Sequence, residues 1–210
     1  GEPTVRLLIC AGGTGGGVYP ALTVLQALVR NSPQVLWVGG EGGMEASLVQ
    51  RAGVPFEAIP AAPVAGINPL RLPGNLWKTL RGVRAAGRLL QQFQPEVVFL
   101  TGGFVGVPMA LAAHRRRVPV VLYVPDIEPG MALKFLARYA DCIALTTDES
   151  RPYFSPKART QVTGYPVRPE LTGWTREAAR QQLNLKADRL TLLVWGGSKG
   201  ARSINRAVLA

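Results

Sequence analysis

Apolar residues gather in short runs rich in β-branched side chains, and between the runs apolar and polar residues recur with a helical period. The runs predict strands at 5–10, 35–38, 56–59, 97–100, 120–123, 142–145 and 160–163. The periodic stretches predict helices at 20–30, 44–52, 76–93, 107–116 and 131–139. The runs are continuously apolar, without alternation, as in strands covered on both faces. Strands alternating with helices in this way predict an α/β fold with a doubly wound, mostly parallel sheet of Rossmann-like type. Such sheets bind ligands beyond the carboxyl ends of their strands, and the glycine-rich turns of this chain fall there.

The texture changes after Thr163. Gly164-Tyr165-Pro166-Val167-Arg168-Pro169 has two prolines and no periodicity, so it reads as a linker. A helix is expected at 175–183, a strand at 190–195, and a second helix from Ala201. One strand and two helices cannot bury a core. Residues 1–163 are therefore expected to form one domain, and 164–210 a linker with the opening of a second domain that is cut short.

Composition narrows the picture. The chain has 210 residues and is 47% hydrophobic, enough for one full core. Cys10 and Cys142 both sit in apolar runs and read as small buried hydrophobes, not as a disulfide or metal pair. Gly1-Glu2-Pro3 does not open a signal peptide, and no apolar stretch is long enough to span a bilayer. The net charge of +11 attracts polyanions, namely nucleic acid, anionic membrane or phosphorylated substrates, and charge alone does not choose among them.

Three glycine loops carry the candidate chemistry. Gly12-Gly13-Thr14-Gly15-Gly16-Gly17 follows the first strand and precedes a helix, where close backbone approach and helix amides favour an anion. The dinucleotide fingerprint is incomplete, because Val18 stands where its third glycine should be. Thr101-Gly102-Gly103-Phe104-Val105-Gly106 joins the fourth strand to a helix and suggests a second wall of the same cleft. Gly196-Gly197-Ser198-Lys199-Gly200-Ala201-Arg202 offers amides, a hydroxyl and an ammonium to a phosphate without P-loop spacing. Each could also be a structural turn.

A separate signal lies at 68–93. Leu76, Leu80, Val83, Gly87 and Leu90 share one helical face, and Lys78, Arg81, Arg84 and Arg88 share another with Trp77. A tryptophan in a basic face, with Leu70, Arg71 and Leu72 just upstream, suits a membrane headgroup layer; a solvated face is the plainer alternative. Arg115-Arg116-Arg117 adds a basic cluster that could simply complement a helix dipole. His114 reads as a surface residue. Asp126 and Glu128, in a turn after the fifth strand, are the candidate acid–base groups.

The ordered set of loops resembles the MurG family, peripheral membrane transferases that add N-acetylglucosamine to lipid I in peptidoglycan synthesis. The likeness covers nearly the whole chain: Gly12 to Gly16, Met44-Glu45-Ala46, Gly102-Gly103-Phe104-Val105, the segment 119–122, Pro166-Val167-Arg168, and 196–202 with Asn205. It implies a GT-B fold, of which residues 1–163 are the acceptor- and membrane-binding N-terminal domain. It implies an inverting hexosyltransferase that takes UDP-GlcNAc as donor and an undecaprenyl-diphosphate-linked sugar as acceptor, without a cofactor or catalytic metal. By the same resemblance Thr14, Gly15 and Gly16 lie where donor meets acceptor, and Arg168 and Ser198 meet the donor diphosphate. Gly12, Gly13, Gly102, Gly103, Gly106, Gly197, Lys199 and Gly200 would form the phosphate-handling loops. Leu70, Leu72, Trp77, Lys78, Arg81, Arg84 and Arg88 would form the membrane patch on the cytoplasmic face, and nucleic acid is not an expected partner.

Two positions depart from the family pattern. Gly17 stands where the family has a histidine, and Asp126 where an asparagine contacts the donor. Asp126 is thus both a donor contact and the candidate replacement base. The departures leave two rivals: a transferase with another lipid or glycan acceptor, and a membrane-docked protein that binds without transferring. A nicotinamide enzyme with Glu41 on the ribose is disfavoured by the incomplete fingerprint. This stretch of sequence alone is expected to be inactive.

Overall fold

The computed structural model describes residues 5–13, 15–28, 33–64, 68–196 and 201–209. They form two compact units, 1–167 and 168–210. The first unit is built on seven strands: β1 (Arg6–Cys10), β2 (Gln34–Gly40), β3 (Phe56–Ile59), β4 (Val97–Leu100), β5 (Val120–Val124), β6 (Cys142–Leu145) and β7 (Thr160–Val162). All pairings are parallel, in the order β3-β2-β1-β4-β5-β6-β7. The strand order reverses direction between β1 and β4, which is the switch point where such sheets bind ligands.

Helices α1 (Gly15–Leu28), α2 (Glu45–Arg51), α3 (Leu72–Phe93), α4 (Gly106–Arg116) and α5 (Met131–Leu136) connect the strands. Two cores result, one on each side of the sheet. Leu7 and Ile9 of β1, Trp37 and Phe99 pack with Val18, Ala21 and Leu25 of α1 and Val49 of α2. Leu8 and Cys10, Val98, Leu100, Leu122 and Ile143 face the other way, onto α3, α4 and α5. Alternate residues of each strand thus enter different cores, which explains why the strands read as continuously apolar.

The seven strands predicted up to residue 163 are present, and the helices differ at their ends. α1 begins at Gly15, five residues before the expected start at Pro20, because its first turn is glycine and carries no apolar period. α3 begins at Leu72, a turn early, with a proline tolerated at its start. The face of α3 that docks is also only partly the leucine face. Thr79, Gly82, Val83, Ala86 and Leu90 are buried, while Leu76 and Leu80 are 51% and 40% exposed. Close approach decides this: a Cβ at Gly82 would stand 2.0 Å from the Pro60 carbonyl oxygen, so the helix seats on its smallest residues.

The described residues of the second unit form three short helices, α6 (Pro169–Thr172), α7 (Arg176–Gln182) and α8 (Arg202–Leu209), and none of them buries a residue. Thr175 caps α7, its Oγ1 accepting from Ala178 N at 3.2 Å. The expected strand at 190–195 is not formed. Those residues are in open backbone, with Leu190, Leu192 and Trp195 exposed. A strand is a hydrogen-bonded partner, and among the described residues of this unit no second strand stands beside it.

Candidate functional site

The first two glycine loops leave neighbouring strands, β1 and β4, and meet backbone to backbone. A Cβ at Gly103 would lie 2.5 Å from the Gly12 carbonyl oxygen, so that contact requires glycine. Gly13, Gly102 and Gly103 hold φ of +86°, +101° and +79°, a region that side chains with a Cβ rarely enter. Thr101 N donates to the Cys10 carbonyl at 3.3 Å and ties the loops together at their roots.

Glu45, at the start of α2, holds the first loop from behind. It is 1% exposed; its Oε2 accepts from Gly13 N at 3.2 Å and its Oε1 from Gly40 N at 2.8 Å. The surrounding glycines make room for it: a Cβ at Gly12 or Gly43 would come within 2.3 Å of Glu45 Oε1. Trp37 completes the bracket, its Nε1 donating to the Ala11 carbonyl at 3.0 Å. Burial pushes the Cys10 thiol far above its ordinary range, and the nearby Glu45 carboxylate adds to the shift, so Cys10 is an inert thiol.

The loops border a cavity of about 460 Å³ that also reaches Pro125, Asp126, Gly130 and Tyr165. Gly16 and Gly17, in the first turn of α1, line it, so the positive end of that helix faces the space. Asp126 is exposed, and its backbone carbonyl accepts from Ser150 Oγ at 3.3 Å, which fixes the turn that carries it. Thr101 is 5% exposed and lines the same cavity. Its Oγ1 is the buried side-chain polar atom that lacks a partner among the described residues. It lies against Gly17, where a Cβ would stand 3.0 Å from it. Behind the cavity Tyr123 is buried, with its hydroxyl 3.1 Å from Thr146 Oγ1. Burial raises the Tyr123 pKa, the Thr146 hydrogen bond opposes that, and Tyr165 and Asp126 add to the rise. The phenol therefore stays neutral and does not serve as a base at neutral pH.

Of the residues singled out from sequence, Gly12, Gly13, Gly16, Gly102, Gly103 and Asp126 share this cavity. Gly15 and Gly106 do not line it; they open α1 and α4, and Gly106 packs toward Leu136. Glu128 is outside it, paired with Lys134 at 3.8 Å on the surface. His114 meets Tyr139 edge to face at the far end of α4, with ring centroids 5.3 Å apart. Arg168 belongs to the second unit, where it precedes α6. Thr14, Gly197, Ser198, Lys199 and Gly200 lie outside the described residues. Sequence reasoning placed Thr101 in the second loop without giving it a role, and missed Glu45 and Tyr165 as parts of the site. For Glu45 the glycine pairs Gly39-Gly40 and Gly42-Gly43 gave no pointer, since in sequence they flank Glu41; only the fold brings Gly39, Gly40 and Gly43 against Glu45.

On α3, Leu70 just upstream, Trp77 and Leu80 are exposed, with Trp77 at 61%. Leu72 is half-buried. Lys78 pairs with Glu41 at 3.6 Å, whereas Arg81, Arg84 and Arg88 are exposed and pair with no carboxylate among the described residues. Among the described residues no helix is long and apolar enough to cross a membrane.

Residues 7–145 match the glycosyltransferase family 28 N-terminal domain. The chain is 43% identical to the UDP-N-acetylglucosamine–N-acetylmuramyl-(pentapeptide) pyrophosphoryl-undecaprenol N-acetylglucosamine transferase of Roseiflexus sp. (strain RS-1), over 100% of this chain and 57% of that protein. It is 40% identical to the enzyme of the same name from Desulforamulus reducens, over 98% of this chain and 56% of the relative. The chain thus spans little more than half the length of these relatives. The crystal structure of Acinetobacter baumannii MurG superposes with a TM-score of 0.64 at 25% identity, over 79% of this chain and 46% of that one. A UDP-GlcNAc 2-epimerase from Neisseria meningitidis, 14% identical with a TM-score of 0.58 over 77% of this chain and 46% of that one, shares the fold alone. With the all-parallel sheet and the joined glycine loops, these matches make the chain a member of glycosyltransferase family 28, in its MurG branch.

Proposed function

We propose that this protein is an inverting GT-B transferase that moves N-acetylglucosamine from UDP-GlcNAc to a lipid-diphosphate-linked sugar, the lipid I acceptor of peptidoglycan synthesis, at the cytoplasmic face of the membrane. The observation that carries this reading is the single cavity in which two glycine loops and the Asp126 carboxylate converge. Its reach from the amides of α1 to a carboxylate suits a ligand that is an anion at one end and a hydroxyl donor at the other. The relatives' names supply the donor and acceptor classes.

In this reading the acceptor diphosphate rests on the amides of Gly16 and Gly17 and on the second loop. Asp126 accepts the proton of the acceptor hydroxyl as that oxygen forms its bond to the anomeric carbon. The bond from that carbon to UDP breaks on the opposite side, which inverts the centre. Arg168, Ser198, Lys199 and the amides of Gly197 and Gly200 take up the negative charge that develops on UDP. The exposed Leu70, Trp77 and Leu80, with Arg81, meet the membrane that holds the acceptor.

The test uses the protein at the full length of its relatives, incubated with labelled UDP-GlcNAc and a lipid I analogue, with products read by mass spectrometry. A disaccharide-linked lipid is the expected product. Bound UDP-GlcNAc with no transfer would overturn the acceptor assignment and favour another lipid or a binding-only protein.

A further inference from the structure

Helices α3 and α4 pack side by side, and neither contains an aspartate or glutamate. Between them runs an open groove of about 700 Å³, floored by Val83, Gly87 and Ala112. Arg84 and Arg88 line it from α3, Arg115 and Arg116 from α4. Gly87 keeps the floor open: a Cβ there would already stand 3.7 Å from Arg116 Nε. Arg116 is held over that floor by its Nη2, which donates to Gln91 Oε1 at 3.2 Å. None of the four arginines pairs with a carboxylate among the described residues. The dipole of α4 accounts for cations at its carboxyl end but not for Arg84 and Arg88, which lie inside α3. Four guanidinium groups at one groove repel each other unless an anion joins them.

The arginines that α3 gives the groove also share a helical line with the exposed tryptophan. Trp77, Arg81, Arg84 and Arg88 recur at i, i+4, i+7 and i+11, one line along the helix about 16 Å long at the α-helical rise. An aromatic ring at one end of such a line and arginines at the other match the step from the acyl boundary to the phosphate layer of a bilayer.

We infer that this groove binds the phosphate of an anionic membrane lipid and favours a phosphate monoester headgroup. A monoester offers more charge and more free oxygens to forked guanidinium donors than a diester does. The inference rests on the reading that α3 faces a membrane. It goes further, because a diffuse basic surface responds only to surface charge whereas a groove also responds to the headgroup.

The experiment is flotation of the 210-residue chain with phosphatidylcholine vesicles carrying either phosphatidic acid or phosphatidylglycerol at matched surface charge. The unsubstituted chain is expected to favour phosphatidic acid. Replacing Arg115 and Arg116 together by glutamine should lower partitioning about thirtyfold and erase that preference. Gly87→Met, which fills the floor with every charge kept, should erase the preference too. Replacing Lys157 and Arg159, in the turn just before the edge strand β7, by glutamine removes equal charge and should leave the preference intact. Equal binding to both headgroups by the unsubstituted chain, or a preference that survives in the groove variants, overturns the inference. Competition by millimolar inorganic phosphate would make the ligand a free phosphate and overturn the lipid assignment. Trp77→Ala with Leu80→Ala tests the membrane reading separately: that pair should weaken binding to both vesicle types and leave the ratio between them unchanged.

Discussion

Glu45 offers the sharpest test of how the first glycine loop is held. Both of its oxygens accept a backbone N–H, from Gly13 and from Gly40, and among the described residues no cation pairs with it. Glutamine has the same shape but presents an oxygen at only one of those places. At the other, its NH₂ faces an N–H, donor against donor. A hydrogen bond to a charged acceptor contributes about 1.5–3 kcal/mol net, and a buried donor left without a partner costs about 1–3 kcal/mol. Removing a buried charge returns part of this. The net expectation for Glu45→Gln is a loss of about 2 kcal/mol, which in a chain of this size lowers Tm by about 4–8 °C. Thermal unfolding by circular dichroism measures the loss, and amide hydrogen exchange locates it, since Gly13 or Gly40 should lose protection. A double-mutant cycle adds specificity. Gly12→Ala places a Cβ 2.3 Å from Glu45 Oε1, so it should cost less in a Glu45→Ala background than in the parent. An unchanged Tm in Glu45→Gln, with both amides still protected, would refute the bracket.

Thr101→Val replaces an unpartnered buried hydroxyl by a methyl of the same shape. It should raise stability by about 1 kcal/mol, and a lower Tm would mean that the hydroxyl already has a partner. Asp126→Asn, in the full-length protein, should cut turnover at least about a hundredfold, the lower end for a general base, with little change in the donor KM. Unchanged turnover removes Asp126 from the reaction. Cys10 supplies a pH dependence whose sign follows from its raised pKa in the folded state. The unfolded thiol ionises above about 8.5 and the folded one does not, so stability is complete below that pH and falls above it by up to about 1.36 kcal/mol per pH unit. Denaturant unfolding of Cys10→Ala and the parent from pH 7 to 10 should show the parent losing stability faster, and parallel slopes would sink the assignment.

The seven strands were legible because each is an apolar run whose residues enter two cores, a pattern that needs no knowledge of neighbours. What was not legible depended on partners. The 190–195 run has the composition of a buried strand, yet strand identity is conferred by a ladder, and none is available among the described residues of its unit. The apolar face of α3 was legible only in part: Val83 and Leu90 dock as their spacing suggests, but Leu76 and Leu80 do not, because smaller residues dock beside them. Gly82, against the Pro60 carbonyl, let the backbone come closer than a leucine face would allow and turned Leu76 and Leu80 outward. In the site, glycine advertised both loops, since few other needs call for it so densely. Glu45 stayed hidden because an acidic residue at a helix start has an ordinary explanation in the helix dipole. Only the fold shows that it turns inward.

That inward turn bears on what the cavity can hold. Gly13 N–H is already committed to Glu45, so the back of the first loop cannot serve a phosphate, and the buried carboxylate there would repel one. The amides left for an anion are those at the opening of α1, around Gly16 and Gly17, where the helix dipole adds to them. Asp126, on the other wall, disfavours an anion and favours a hydroxyl. A ligand that suits both walls carries a phosphate and a sugar hydroxyl a few bonds apart. A free nucleotide phosphate suits one wall and a neutral glycan suits the other. A sugar diphosphate satisfies both, a description that fits a nucleotide sugar as well as a lipid-linked sugar and that a lone phosphate or a neutral glycan does not meet.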